Sequence, residues 1–499
     1  MKFRKTTIQA LIAPLIISGG FLALSGNAYA NDSEELEKLR ALVQELDQKV
    51  KIIERKDEIA AEDAAAKKKE TPIVSAGASG FGIKSPDGNF EYQLKGLIQL
   101  DYRNFQDDGL STTNQAEGFT ARRIRPTFQG TLFGKYDFRF TPEFGEARNN
   151  DISGTSAAYT ANQNNGNVSR IIDAYVDARF FPEFKIRAGK FKPYVGLERL
   201  QGGGDIKFIE RSYVSNNILP NRDLGASVYG DVLDGKLNYA LGVFNGVADG
   251  TEGTTLLDTN DDKDYAARVF ATPFKGTDSV LEGLGLGVAV THGDSGGVAS
   301  GGLIGGYKTP GQAGVNFFAL ATGVVGDGKR NRWTPQAYYY YGPFGLIAEY
   351  AKVSNDVRRV NGAGATLSSG ELESDAWQIA GSWLLTGENA SFKSPKPKNA
   401  FETGKDGWGA WELVARYQQQ EIDNSAFAGT AASQFASRIT SAKSAKTWGA
   451  GINWYLNQWV KLAVNYEQTK FQDGGGGTFA NPLDRDDEKV ILSRLQFQF

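Results

Sequence analysis

The chain has 499 residues, no cysteine, one histidine and a formal net charge of −3. Disulfides and thiolate metal sites are therefore excluded, as is a three-histidine zinc site, because His292 stands alone; the acidic balance speaks against nucleic acid as a partner. Sixty glycines and 12 % aromatic residues in a chain of modest hydrophobicity suit a membrane β-barrel, where one face of each strand meets lipid and the other meets water; a large secreted β-sandwich shares that composition.

Lys2, Arg4 and Lys5 precede a mostly apolar run from Ile8 to Leu24, and Ala28-Tyr29-Ala30 follows. Residues 1–30 are expected to be a secretory signal peptide cleaved before Asn31. Pro14 and Gly19-Gly20 interrupt an apolar core already short for an uncleaved membrane helix. Downstream there is no apolar run of the roughly 18 residues a membrane helix needs, so a span would have to be a barrel.

Residues 31–60 read as a periplasmic coiled-coil segment. Asn31-Asp32-Ser33 offers a helix cap, and Leu36, Leu39, Val43, Leu46, Val50 and Ile53 recur at alternating steps of three and four, a heptad seam. A single amphipathic helix lying on a barrel mouth fits the same residues. Residues 61–89 are expected to be a linker, since Lys56 to Pro72 is rich in Ala, Lys and Glu and has no apolar face.

From Phe90 the period changes to two. Tyr92, Leu94, Ile98, Leu100 and Tyr102 share one face, and Gln93, Lys95, Gln99 and Asp101 the other, as in a half-buried strand. After 90–102 the pattern recurs at 118–133, 135–144, 170–180, 184–191, 223–233, 236–245, 264–272, 284–292, 331–341, 345–354, 374–386, 408–420, 446–456, 459–471 and 488–499. The expected fold is all-β, a sixteen-stranded antiparallel transmembrane β-barrel over 90–499 with a short N-terminal α-helical coiled coil.

Short connections at Gly134, 181–183, 234–235, 342–344 and 457–458 alternate with long ones at 103–117, 145–169, 192–222, 246–263, 293–330, 355–373, 421–445 and 472–487. This is the rhythm of an outer-membrane barrel, with short periplasmic turns and long outer loops. Two inner connections, 273–283 and 387–407, are too long for it, and Pro126 and Pro335 fall inside expected strands. Trp333, Tyr338–Tyr341, Trp448, Trp454, Tyr455 and Trp459 are expected in interfacial girdles. Ile491, Leu495, Phe497 and the terminal Phe499 share a face, an ending expected to be read by the outer-membrane assembly machinery.

Strand parity sorts the charges. With Ile124 and Phe128 toward lipid, Arg123 and Arg125 face the lumen, as do Arg139, Arg179, Lys185, Arg187, Arg268, Arg332, Arg416 and Arg494. Glu91, Asp101, Asp137, Asp173, Asp177, Glu349, Glu412 and Glu467 join them, so the wall is mixed. The cluster Arg122-Arg123-Ile124-Arg125 is denser, and a positive ring in a narrow pore attracts anions. The long stretch 192–222 lacks a period and carries Lys192, Arg199, Lys207, Arg211 and Arg222. A loop this long in a strand-rich chain is usually functional; it is expected to fold into the barrel and narrow it. Arg122, Arg123, Arg125, Lys192, Arg199, Lys207, Arg211 and Arg222 are the candidate anion-path residues.

The segments FTARRIRPTFQGTLFGKYDFRF, IIDAYVDARF, KIRAGKFKPYVGLERL, DIKFIERSYV, NRDLGASVYGD, PQAYYYYGPFGLIAEY and WYLNQWVKLAVNYE, with shorter ones between them, resemble the phosphate-selective porin O/P family of Gram-negative outer membranes, in the family's order. The resemblance implies a passive, usually trimeric porin whose third outer loop folds inward and which passes small anions, with phosphate or pyrophosphate preferred by some members. A sixteen-stranded barrel normally leaves an aqueous channel, so transport without a cofactor is expected, and with no nucleophile elbow, metal constellation or phosphate loop in the sequence an enzyme is not. The family's paired arginine matches Arg122 and Arg123, and its Glu-Arg matches Glu210 and Arg211. Where members often carry Ser-Ser-Lys-Asp, this chain has Gly203-Gly204-Asp205, with Lys207 three residues beyond Gly204, which leaves the preferred anion open. A general, weakly selective porin and an envelope-tethering or adhesive barrel protein that uses the coiled coil and outer loops are the alternatives.

Overall fold

The structure, a computed structural model, describes residues 32–77, 80–110, 117–145, 170–251, 261–295, 304–311 and 315–499; the expected signal peptide lies outside them. It divides into two units, Met1–Thr71 and Pro72–Phe499. In the first, α1 (Asp32–Glu70) is one continuous helix. Leu36, Leu39, Val43, Leu46, Val50 and Ile53 are each about half exposed or more, and ion pairs such as Lys49–Glu45 and Lys51–Asp47 support the polar face. The helix passes the expected boundary at residue 60 because Ala, Lys and Glu are strong helix formers even without an apolar face.

The second unit opens with a hairpin, β1 (Ile73–Gly77) and β2 (Gly80–Lys84), where a linker was expected. Its place follows from an edge. β3 (Glu91–Asp108) pairs with the last strand, β20 (Glu488–Gln498), only from Leu97 onward, and β2 covers the remaining edge at Glu91–Leu94. An uncovered edge would leave backbone groups without partners.

The wall continues through β4 (Gly118–Leu132), β5 (Tyr136–Glu143), β6 (Arg170–Phe181), β7 (Phe184–Phe191), β8 (Asp223–Val232), β9 (Leu237–Phe244), β10 (Asp264–Ala271) and β11 (Leu284–Ser295). It is completed by β12 (Val324–Tyr341), β13 (Phe344–Val360), β14 (Thr366–Leu384), β15 (Ala410–Ile422), β16 (Ser444–Tyr455) and β17 (Val460–Gln472). All neighbours are antiparallel, and β20 pairs with both β17 and β3, closing a sixteen-stranded barrel. A small separate hairpin, β18 (Gly474–Gly477) and β19 (Pro482–Asp484), sits in the last long connection.

Every expected strand is present. The largest differences lie in β12–β14, which run well past their expected ends; the expected loop 355–373 shrinks to a turn at Asn361–Ala365. Beyond the lipid band both faces of a strand meet water, so the apolar/polar alternation fades while the ladder continues. Pro335 interrupts the β12–β13 ladder between Trp333 and Gln336 without a slip in register.

In β15, Glu412, Arg416, Gln418 and Gln420 are buried inside while Leu413 and Tyr417 are exposed outside. The tyrosine run of β12 divides the same way. Tyr339 and Tyr341 face outward, whereas Tyr338 and Tyr340 turn inward, as does Tyr455. Those three inward rings are therefore not girdle residues. Trp333, Trp383 and Trp448 are exposed on the outer face.

Candidate pore constriction

Segment 192–222 lies within the barrel, hydrogen bonded to inward side chains of the wall. Its Leu197 and Glu198 amides donate to Glu349, the Ile209 amide to Asn465 and the Tyr213 amide to Gln418. Its carbonyls accept in turn: Gln336 donates to Val195, Gln99 to Gly203, Gln496 to Gly204, Lys461 to Ile206 and Arg416 to Glu210. A non-regular segment buried in a barrel needs such partners for its backbone. Tyr213, Val214, Ile218 and Leu219 then join an apolar cluster with Tyr307, Phe317 and Phe318 of the β11–β12 connection.

The opposite end of the barrel contributes too. The long connection 385–409, which breaks the short-turn rhythm, reaches the same segment: Gln201 donates to the Phe392 carbonyl, Ser394 N to Asp205 and Ser394 Oγ to the Gly204 carbonyl. Gly204 is tightly enclosed. A Cβ there would stand 2.1 Å from Gln498 Oε1, so a lysine at this position would require Gln498 to move.

The candidate residues divide into two groups. Arg122 is the extra residue of a β-bulge: the pairing of β3 with β4 passes from Gln99–Arg123 to Leu100–Ala121. Arg122 and Arg123 consequently both turn inward and are almost fully buried, although simple alternation would put one toward lipid. Arg122 donates to both carboxylate oxygens of Glu210, at 2.6 and 3.2 Å. Arg123 donates to Gln99, which in turn holds the Gly203 carbonyl. Arg199 donates to the Ser215 carbonyl, Arg211 to the Glu198 and Gln201 carbonyls, and Lys207 pairs with Glu412 at 3.0 Å. These five brace the segment.

Arg125, Lys192 and Arg222 instead line a cavity of about 660 Å³ between the segment and the wall from β3 to β12. Arg139, Arg187 and Arg268 line it as well, and among the described residues Asp173 is the only lining carboxylate. Those three arginines were legible as inward by parity; their common height along the axis was not. Arg222 is held by Asp173 at 2.8 and 3.4 Å, and Arg187 by Asp177 at 2.8 and 2.7 Å, stacked 3.9 Å over the Tyr175 ring. Arg139 reaches Asp173 only at 3.8 Å and is 39 % exposed. Arg268 bonds to the neutral amides of Gln336 (3.0 Å) and Asn238 (3.3 Å), and Lys192 to the carbonyls of Arg199 (2.7 Å) and Gln201 (2.8 Å). Among the described residues neither has a carboxylate within ion-pair distance. Burial, followed by the guanidiniums of Arg211 and Arg222, pushes the Lys192 ammonium well below the usual lysine range, with Asp173 opposing.

Residues 92–499 match the family described as phosphate-selective porin O and P. The chain belongs to that family. It is an outer-membrane β-barrel of the porin class. Porin O of Pseudomonas aeruginosa is 25 % identical over 455 residues, covering 86 % of this chain and 92 % of that one. Among solved structures, the outer membrane channel DcaP of Acinetobacter baumannii is 13 % identical over 84 % of this porin and 100 % of that chain, with a TM-score of 0.49. An anion-selective porin from Comamonas acidovorans is 12 % identical over 82 % and 100 %, with a TM-score of 0.47.

Proposed function

We propose that the chain is a passive, anion-preferring porin, with phosphate or pyrophosphate as candidate solutes. The observation that carries this reading is the cavity lining, in which Arg125, Arg139, Arg187, Lys192, Arg222 and Arg268 stand with Asp173 as the one lining carboxylate among the described residues. The pairs Arg125–Glu143, Arg187–Asp177 and Arg222–Asp173 are largely self-compensating, so the attraction rests on Lys192, Arg268 and the loosely held Arg139. In a narrow pore with low-dielectric walls such charges focus the field on a passing ion. A guanidinium fork also matches phosphate oxygens. Segment 192–222 brings two cations to the cavity, Arg222, held by Asp173, and Lys192, which has no carboxylate within ion-pair distance among the described residues, in a chain that has Gly204 where family members often carry lysine. The test is charge reversal at the wall. Arg139→Glu and Arg268→Glu, each in planar bilayers under a KCl gradient, are expected to move the zero-current potential toward the cation side; an unchanged potential in both would contradict the reading.

A second reading concerns assembly. The apolar seam of α1 is exposed along its length, and a heptad seam is buried by pairing with other helices. We propose that α1 associates with α1 of other copies in a homotrimer, on the periplasmic side.

A further inference from the structure

The cavity is not lined as a site for a small inorganic ion alone. Beside Arg268, whose guanidinium lies 4.5 Å from the centre of the Phe270 ring, three rings from three separate elements converge. Phe270 of β10 and Tyr338 of β12 are 5.2 Å apart, and Tyr338 and Phe392 of the connection 385–409 are 5.9 Å apart, all in tilted contact. All three line the cavity, and Tyr338 and Phe392 are only half-buried. A pore for hydrated inorganic ions gains nothing from an apolar aromatic wall, since such an ion loses hydration beside it. The arrangement does suit a solute that is charged at one end and flat and apolar at the other. Arg268 is the group to meet the charge, because its present partners are the neutral amides of Gln336 and Asn238. A carboxylate forms shorter, charge-assisted bonds with guanidinium, and a flat ring stacks on the neighbouring aromatic faces.

We infer that the preferred occupants of this cavity are aromatic carboxylates, bound with the carboxylate on Arg268 and the ring against Phe270, Tyr338 and Phe392. The inference rests only on the anion-preferring part of the reading above and, within it, puts aromatic carboxylates ahead of phosphate and pyrophosphate as the solute class. The test uses the purified full-length chain in planar bilayers, with chloride current blocked by benzoate, by acetate or by inorganic phosphate. Acetate carries the same charged group as benzoate without the ring. Benzoate is expected to block at a several-fold lower concentration than acetate. Tyr338→Leu is expected to weaken benzoate block by about 2- to 10-fold, the range of an aromatic contact, while leaving acetate block in place. Arg268→Gln is expected to weaken both. Equal block by benzoate and acetate, or phosphate block well below either, would overturn the inference while an anion-side reversal potential left the porin reading standing; a cation-side reversal potential would remove both. If Arg268→Gln does not fold, shown by loss of the heat-modifiable species on gels, the benzoate-to-acetate ratio and the Tyr338→Leu variant still decide.

Discussion

At the scale of single residues, the arginines divide between bracing and lining, and neighbours in sequence fall on opposite sides of that division. Arg122 and Arg125 are three apart, yet one is locked to Glu210 of the inward segment and the other faces the cavity. Arg122→Ala removes the bidentate partner of a buried carboxylate, a change that typically costs about 2–5 kcal/mol. The variant is expected to lose its heat-modifiable form at a lower temperature and to show larger, noisier single-channel conductance as the segment loosens; unchanged values would contradict a bracing role for Arg122 at Glu210, beside which Arg103 also lies, at 3.6 Å. Lys192 gives a pH signature. Its folded value lies below the ordinary one, so as pH rises it loses its charge well before a solvated lysine would, near 10.4. Anion preference should therefore decline with rising pH in the alkaline range, and Lys192→Gln should flatten that part of the profile. The inward direction of Arg122 was not legible from alternation, because a bulge shifts parity by one residue and a bulge depends on the partner strand.

Among the elements, the strands were the most legible. Wherever lipid lies on one side and water on the other, the period of two is imposed directly on the sequence, and β6, β7 and β15 fall within two residues of their expected ends. Where that asymmetry stops, so does the signal. The outer halves of β13 and β14 carry polar residues on both faces, and hairpin β1–β2 owes its place to the length of β20, a long-range fact. The cavity was legible in part: parity showed Arg139, Arg187 and Arg268 to be inward, but height in a barrel is set by strand stagger, which one sequence does not display. The seam of α1 carries its own prediction. Replacing Leu46 and Val50 together by Asp is expected to abolish chemical cross-linking between α1 helices of full-length chains while leaving single-channel conductance intact; undiminished cross-linking would contradict pairing through the seam.

For the molecule as a whole, the barrel supplies enclosure, and two inserted pieces, 192–222 from one end and 385–409 from the other, meet inside it. The outer face is apolar: Val288 of β11 is about half exposed there, and Val288→Arg is expected to destabilise the folded barrel by about 2–4 kcal/mol, the cost of a cation on the lipid face near the bilayer centre, read from urea unfolding in micelles. Inside, charge is paired along most of the wall but, among the described residues, positive charge is in excess beside segment 192–222. The most direct measurement is the reversal potential of the unmodified chain in a planar bilayer under a KCl gradient. A potential on the chloride side is the predicted result; one on the potassium side would contradict the claim that Lys192, Arg139 and Arg268 govern what passes.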